Sequence, residues 1–143
     1  GQSAFAAIAE IVGILNADDT TDWSKVDISA LRNHLVDMNM LMMGATVTQS
    51  ETGKEVVFVV EGEGQVLRAI QAMALPHARQ LDMMDGWSAT ATTTSKGAVL
   101  TMKAEQPFAL AKIQGLGFFG LMVTGAQHQP HHLALAQGSA AAR

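Results

Sequence analysis

Two stretches of the chain have the pattern of a β-hairpin, and they restrict the fold more than any other feature of the sequence. Residues 45–62 (ATVTQSETGKEVVFVVEG) contain two β-rich runs on either side of a Thr-Gly-Lys turn at 52–54. Residues 87–103 (WSATATTTSKGAVLTMK) repeat this arrangement around a Lys-Gly turn at 96–97. Runs rich in valine, threonine and phenylalanine that flank a short glycine turn are typical of antiparallel strands. The sequence therefore predicts four strands in two hairpins.

Helical periodicity surrounds both hairpins, with apolar residues recurring at spacings of three and four. The predicted helices cover residues 3–16, 28–43, 64–84, 107–123 and 130–137. We expect Pro76 to kink or split the third helix, and Gly138 to end the last one. The element order predicts an α+β fold: two helix–β-hairpin repeats form a mostly antiparallel four-stranded sheet that helices cover on one face.

The length and an internal offset indicate how the chain is organised. A chain of 143 residues can bury the core of one domain, so we expect a single domain over 1–143, with 139–143 as a tail. An offset of 43 residues aligns 34–76 with 77–119 and places His34 on His77. Other matched positions are Met40 with Met83, Val57 with Leu100, and Val59 with Met102, the strand positions falling in the same phase. The offset predicts an internal repeat.

Composition excludes several classes of protein. The net charge of −4 and the absence of a basic run argue against nucleic-acid binding. The chain has no cysteine, which excludes disulfides, thiolate metal sites and a cysteine nucleophile. Lys112 and four glycines interrupt the most apolar stretch, 107–125, so we expect no membrane span. Avoidance of cysteine together with use of histidine and methionine favours a periplasmic or secreted location over the cytoplasm, although the chain shows no signal segment.

Three of the five histidines lie close together, at His128, His131 and His132. Histidines at short spacing are a common pattern of metal ligands where cysteine is absent. The predicted helix begins at Pro130, and its dipole disfavours imidazolium and keeps the rings in the neutral form that binds metal. Because successive helical positions diverge by about 100°, we expect only one of His131 and His132 to join His128 in facing inward.

The other two histidines lie on predicted helices. His34 is followed by Asp37 and Met38 at i+3 and i+4, so the three side chains share one side of the helix and are candidate metal ligands. His77 lies at the centre of the apolar face of helix 64–84, where its ring needs a polar partner. The alternative for His34 is a half-buried residue hydrogen-bonded to Asp37 or to a backbone carbonyl. The alternative for His77 is a core histidine bonded to the carbonyl that Pro76 leaves free.

Two further patterns are weaker. The MNMLMMG run at 38–44 offers soft thioether ligands that favour Cu(I), but Met38 and Met42 continue the apolar stripe of Ile28, Leu31 and Leu35 and are expected in the core. The GLGFFG segment at 115–120 has the glycine spacing of dinucleotide-binding loops. It follows no strand, and no acidic residue lies downstream, so we exclude nucleotide binding.

These observations predict a small metal-binding protein of the carrier, sensor or storage type. The expected ligands are His34, His77, His128, His131, His132, Asp37 and Met38, with copper favoured over zinc or iron. An open coordination position would allow a metalloenzyme. Haem binding is an alternative, with His77 paired axially with His34, Met38 or His128. A second alternative is a structural or oligomerisation module that binds no metal. Exposed sheet edges favour a homo-oligomer.

Overall fold

The computed structural model describes residues 2–124 and 128–138, in five helices and four strands. The helices are α1 (Gln2–Ala17), α2 (Ile28–Gly44), α3 (Gly64–Asp82), α4 (Pro107–Val123) and α5 (His128–Ala136). The strands are β1 (Thr46–Thr52), β2 (Glu55–Glu61), β3 (Ser88–Thr94) and β4 (Gly97–Lys103). The predicted tail at 139–143 lies outside the described residues.

The four strands form one antiparallel sheet in the order β1-β2-β4-β3. Each predicted hairpin is present: Thr52 pairs with Glu55 across the first turn, and Thr94 pairs with Gly97 across the second. The central strands β2 and β4 join the hairpins, with Phe58 opposite Leu100. The predicted α+β fold with an antiparallel sheet is confirmed.

One face of the sheet is buried beneath helices. Alternate residues of β2 and β4 point into this core because side chains in a strand alternate between faces; the buried ones are Val56, Phe58, Val60, Ala98, Leu100 and Met102. Ile70 of α3 and Ile113 of α4 belong to the same apolar cluster. On the opposite face, Val57, Val59 and Val99 are half-buried. The expectation that helices cover one face is confirmed.

The two hairpins correspond at an offset of 42 residues rather than 43. β1 and β2 begin at Thr46 and Glu55, while β3 and β4 begin at Ser88 and Gly97. The predicted match of Val57 with Leu100 in the same strand phase is wrong, since Val57 is half-buried on the outer face and Leu100 is in the core. A slip of one residue moves a side chain to the other face of a strand. The internal repeat and the single domain stay predictions.

The chain divides into two compact units. The first comprises the described residues of Gly1–Met38 and Gln127–Arg143, and the second those of Asn39–Ala126. The sheet, α3 and α4 belong to the second unit. The first unit has a core of its own, formed by Ile11, Leu15, Leu31, Leu35 and Ala136.

Helix α2 begins where the sequence predicts and loses its predicted stripe near its end. The Asp27 carboxylate accepts a hydrogen bond from the Ala30 backbone N–H at 3.0 Å, which caps the helix. Leu31 and Leu35 are buried as expected. The prediction of Met42 as a core residue is wrong: it is 36% exposed, and Leu41 is buried in its place. Met38 packs against the core of the first unit, and Leu41 belongs to the core of the second.

Helix α3 continues through Pro76. A proline inside a helix removes one backbone hydrogen bond and crowds the preceding turn. The expectation at Pro76 is a kink or a split. The split is wrong, because Ile70, Ala74, Ala78 and Leu81 hold both halves against the sheet core, and the kink stays a prediction.

Helix α4 is broken at Gly117, inside the GLGFFG segment. This glycine has φ 64° and ψ −175°, a conformation that side-chain-bearing residues avoid. The break interrupts the helical hydrogen bonds, and the Gln114 carbonyl accepts a long, 3.5 Å hydrogen bond from Nε2 of Gln49 on β1. Gly117 therefore allows the backbone to bend inside α4. The exclusion of nucleotide binding by the GLGFFG segment stays a prediction.

Among residues 2–124 and 128–138, no helix has the length and apolar character needed to cross a bilayer.

Replacement of Gly117 tests the importance of the break in α4. We expect Gly117→Ala to lower the free energy of unfolding by about 1–3 kcal/mol, because alanine is strained at this φ and ψ. Urea denaturation followed by circular dichroism measures the change. Gly115→Ala is the matched control: Gly115 is helical, and an added Cβ has no heavy atom within 4 Å. The control should be neutral or slightly stabilising, and equal effects of both variants would contradict the assignment of strain to Gly117.

Candidate functional site

The first unit brings together histidines from opposite ends of the sequence. His34 lies on α2, and His131 and His132 lie on α5. α5 begins at His128, so the prediction that Pro130 starts this helix is wrong by two residues; proline fits the first turn, where its missing N–H costs little. The side chain of His128 lies outside the described residues.

Contacts at the C-terminal end of α5 fix the helix in place. The Asp27 N–H donates a hydrogen bond to the Ala136 carbonyl at 2.6 Å. Gly138 ends the helix as predicted, with φ 80°, and a Cβ there would come within 2.9 Å of the Lys25 carbonyl oxygen. Leu133 packs against the core of the first unit, where Ala136 is fully buried. These contacts set the rotation of α5 and so the direction of its histidines.

The three imidazole rings form a compact cluster, which we call the histidine cluster (His34, His131 and His132). The centroid of the His34 ring lies 4.8 Å from that of His131 and 5.7 Å from that of His132. The two rings of α5 are 6.1 Å apart. His132 is only 7% exposed, and its Nε2 atom is shielded from solvent, while the other two rings are half-buried.

Both histidines of α5 have their rings beside that of His34, and the expectation that only one of them joins His128 in facing inward stays a prediction, because the side chain of His128 is not described. Their Cα–Cβ bonds diverge around the helix, but an imidazole is long enough to compensate when a third ring lies between the two directions. His34 supplies that ring from the border of the apolar stripe of α2. The sequence places His34 at this border, but no local pattern shows that α5 packs beside it.

The ring separations match the spacing of imidazoles around a common metal ion. A metal–nitrogen bond of about 2.1 Å places tetrahedral ligand rings with centroids about 5 Å apart. The rings are mutually tilted, by 71°, 66° and 46°, rather than stacked. In residues 2–124 and 128–138, however, no group of three or more His, Asp or Glu side chains has the arrangement of a metal site. Ligation therefore requires the rings to rotate until one nitrogen of each points to a common centre.

The two ligands predicted beside His34 have different surroundings. Asp37 is exposed to solvent. Met38 is half-buried and packs against the core of the first unit. The methionine is therefore explained by core packing, as its position in the apolar stripe predicts, and its thioether is one helical turn from His34.

His77 belongs to the second unit and is a buried residue of α3. Its Nε2 atom lies 2.7 Å from the Leu121 carbonyl oxygen of α4, and the side chain is 9% exposed. Nε2 carries a proton and donates this hydrogen bond, because a carbonyl oxygen can only accept. The alternative of a core histidine bonded to a carbonyl thus describes His77, but the carbonyl belongs to Leu121 and not to the turn opened by Pro76. This contact anchors α3 to α4.

Hydrogen bonds to two aspartates organise the acidic loop between α1 and α2. The hydroxyl and backbone N–H of Thr20 donate hydrogen bonds to the Asp18 carboxylate, which lowers the pKa of that side chain. Ser24 binds Asp22 in the same way. Trp23, between them, is 54% exposed and so does not anchor the loop in a core. These bonds shape a turn.

Replacement of His77 tests its role in the core. We expect His77→Ala to lower the free energy of unfolding by about 2–3 kcal/mol, because it leaves a cavity and removes the bond to Leu121. The Thr124 N–H also donates to this carbonyl, which limits the loss. Chemical denaturation measures the effect, with Gln80→Ala at an exposed position of α3 as the control. Metal content should not change; its loss in His77→Ala would assign His77 to the metal site.

Comparisons with known proteins give no independent indication of function. No family model, no curated protein and no solved structure matches the chain. The histidine cluster and the buried His77 are therefore the features from which a function is to be argued.

Proposed function

We propose that the protein binds one transition-metal ion through His34, His131 and His132, as a carrier, sensor or storage protein. The observation that supports this proposal is the approach of three imidazole rings to within 6.1 Å of one another in a partly buried position. Imidazole is a principal ligand of zinc, copper, iron and nickel.

The surroundings of the rings favour the form that binds metal. Burial disfavours the charged form of an imidazole, and His132 is almost fully buried. Both α5 rings also lie within the first turns of their helix, where the positive end of the dipole acts against imidazolium. Three neighbouring positive charges would repel one another in addition. Neutral rings carry the free electron pair that a metal accepts.

Copper is the first choice of metal. Imidazole sites bind Cu²⁺ more tightly than Zn²⁺ or Fe²⁺. The thioether of Met38, one turn from His34, would add affinity for Cu(I) if it turned out of the core. The exposed Asp37 does not strengthen the case for zinc or iron. His128, three residues before His131, is a further ligand in this proposal.

Haem is the weaker candidate ligand. Nε2 of His77, which a haem iron could bind, makes the 2.7 Å contact with the Leu121 carbonyl. An axial role would cost that hydrogen bond within a packed core. An extracytoplasmic location and self-association through the sheet edges remain part of the proposal, and they rest on composition and on the edge strands β1 and β3.

Metal titration of untagged protein tests the proposal directly. We expect one Cu(II) ion per chain, and alanine at His34, His131 or His132 should weaken binding by more than about 100-fold, since even indirect partners of a metal ligand contribute 10–100-fold. Gln137→Ala, at an exposed position just after α5, is the matched control and should bind as the wild type does. Elemental analysis and isothermal calorimetry give stoichiometry and affinity. Stoichiometric binding that survives all three histidine changes would refute the site, and a Soret band would favour haem.

Metal affinity should fall as the solution becomes acidic. An ordinary imidazole has a pKa of about 6.5, and protons compete with the metal for the same nitrogen. Cu(II) or Zn(II) binding should therefore be tight at pH 7.5 and weaken steadily below about pH 6.5, with protons released on binding. Calorimetry in buffers of different ionisation enthalpy counts these protons. An affinity that does not change between pH 7.5 and 5.5 would point to carboxylate ligands instead.

A further inference from the structure

We infer that metal occupancy controls the docking of α5, so that the ion closes the first unit by joining two distant segments of the chain. The inference rests on the proposed metal-binding function and adds its consequence. The metal would act as a structural switch for one unit while the other stays folded.

The first unit is discontinuous in sequence. One part is Gly1–Met38 and the other is Gln127–Arg143, with the whole second unit between them along the chain. His34 belongs to the first part, and His131 and His132 belong to the second. A metal held by all three would therefore bridge segments separated by about 100 residues. Links that close long loops remove the most conformational entropy from the open state.

α5 is too short to be stable without docking. It has nine residues, whereas isolated helices below about 12–15 residues are marginal in water. Its C-terminal half is held by Leu133, Ala136 and the hydrogen bond from the Asp27 N–H. Its N-terminal half presents polar rings to the ring of His34. The contacts of the C-terminal half therefore hold α5 independently of its histidines.

A metal ion held by the three rings would attach the N-terminal half of α5 as well. It binds the rings only when α5 is docked, because His34 lies on the other segment. A ligand that binds only the docked state shifts the equilibrium by mass action. The second unit has its own core around Phe58, Leu100 and Ile113 and does not need the ion.

Hydrogen exchange of the full chain, followed by mass spectrometry, tests the inference with Cu(II) as the probe. At a free metal concentration about 100 times the dissociation constant, exchange of the α5 amides should slow by about 100-fold. These include the N–H groups of Gln137 and Gly138, which donate to the Leu133 and Leu135 carbonyls. Amides of β2 and β4 serve as the internal control and should exchange at an unchanged rate.

Two variants separate docking from ligation. Leu133→Ala weakens the apolar contact and keeps every ligand, so its α5 amides should exchange faster without metal and recover with Cu(II). His131→Gln keeps the apolar contact and removes a ligand, so Cu(II) should protect α5 much less. One Cu(II) per chain without protection of α5 would overturn the switch and leave the proposed function intact. Equal protection of β2 and β4 would also overturn it, and absence of stoichiometric binding would overturn both.

Discussion

Asp27 makes the contact on which the first unit depends. Its carboxylate accepts from the Ala30 N–H and starts α2, while its own N–H donates to the Ala136 carbonyl and holds the end of α5. One residue thus sets the start of the helix that carries His34 and the position of the helix that carries His131 and His132. Because Asp27 contacts both helices, it holds the three histidines of the cluster near one another.

Local chemistry made the sheet predictable from the sequence. The glycine turns and the β-rich runs define both hairpins, and the strand period of two separates the core side of β2 from its outer side. A displacement of one residue is enough to make such a prediction of strand faces wrong. The offset of 43 satisfies the helical matches but shifts the strands by one, and that error exchanges the two faces of the sheet. Similarly, Leu41 instead of Met42 is buried because α2 leaves one core at Met38.

The candidate site was only partly predictable. His131 and His132 were identified by their short spacing and His34 by the Asp37 and Met38 that follow it, but the meeting of the three rings depends on α5 packing in the first unit beside α1 and the start of α2. This contact joins segments that are distant in the sequence, and the spacing of residues along one chain does not predict it. The same holds for His77, whose need for a partner follows from its position on an apolar face, whereas the partner, Leu121, lies on another helix. Neighbours along the chain can be read from spacing; neighbours across a core cannot.

The contrast between His77 and the histidine cluster explains why metal binding is assigned to one and not to the other. A buried imidazole whose Nε2–H donates to a carbonyl has a defined hydrogen bond, and α3 and α4 are linked by it. In a cluster, each ring that takes up a proton raises the cost of protonating the next. A metal ion bound by the cluster would join α2 to α5 through one centre, whereas a metal at His77 would first have to break the hydrogen bond to the Leu121 carbonyl.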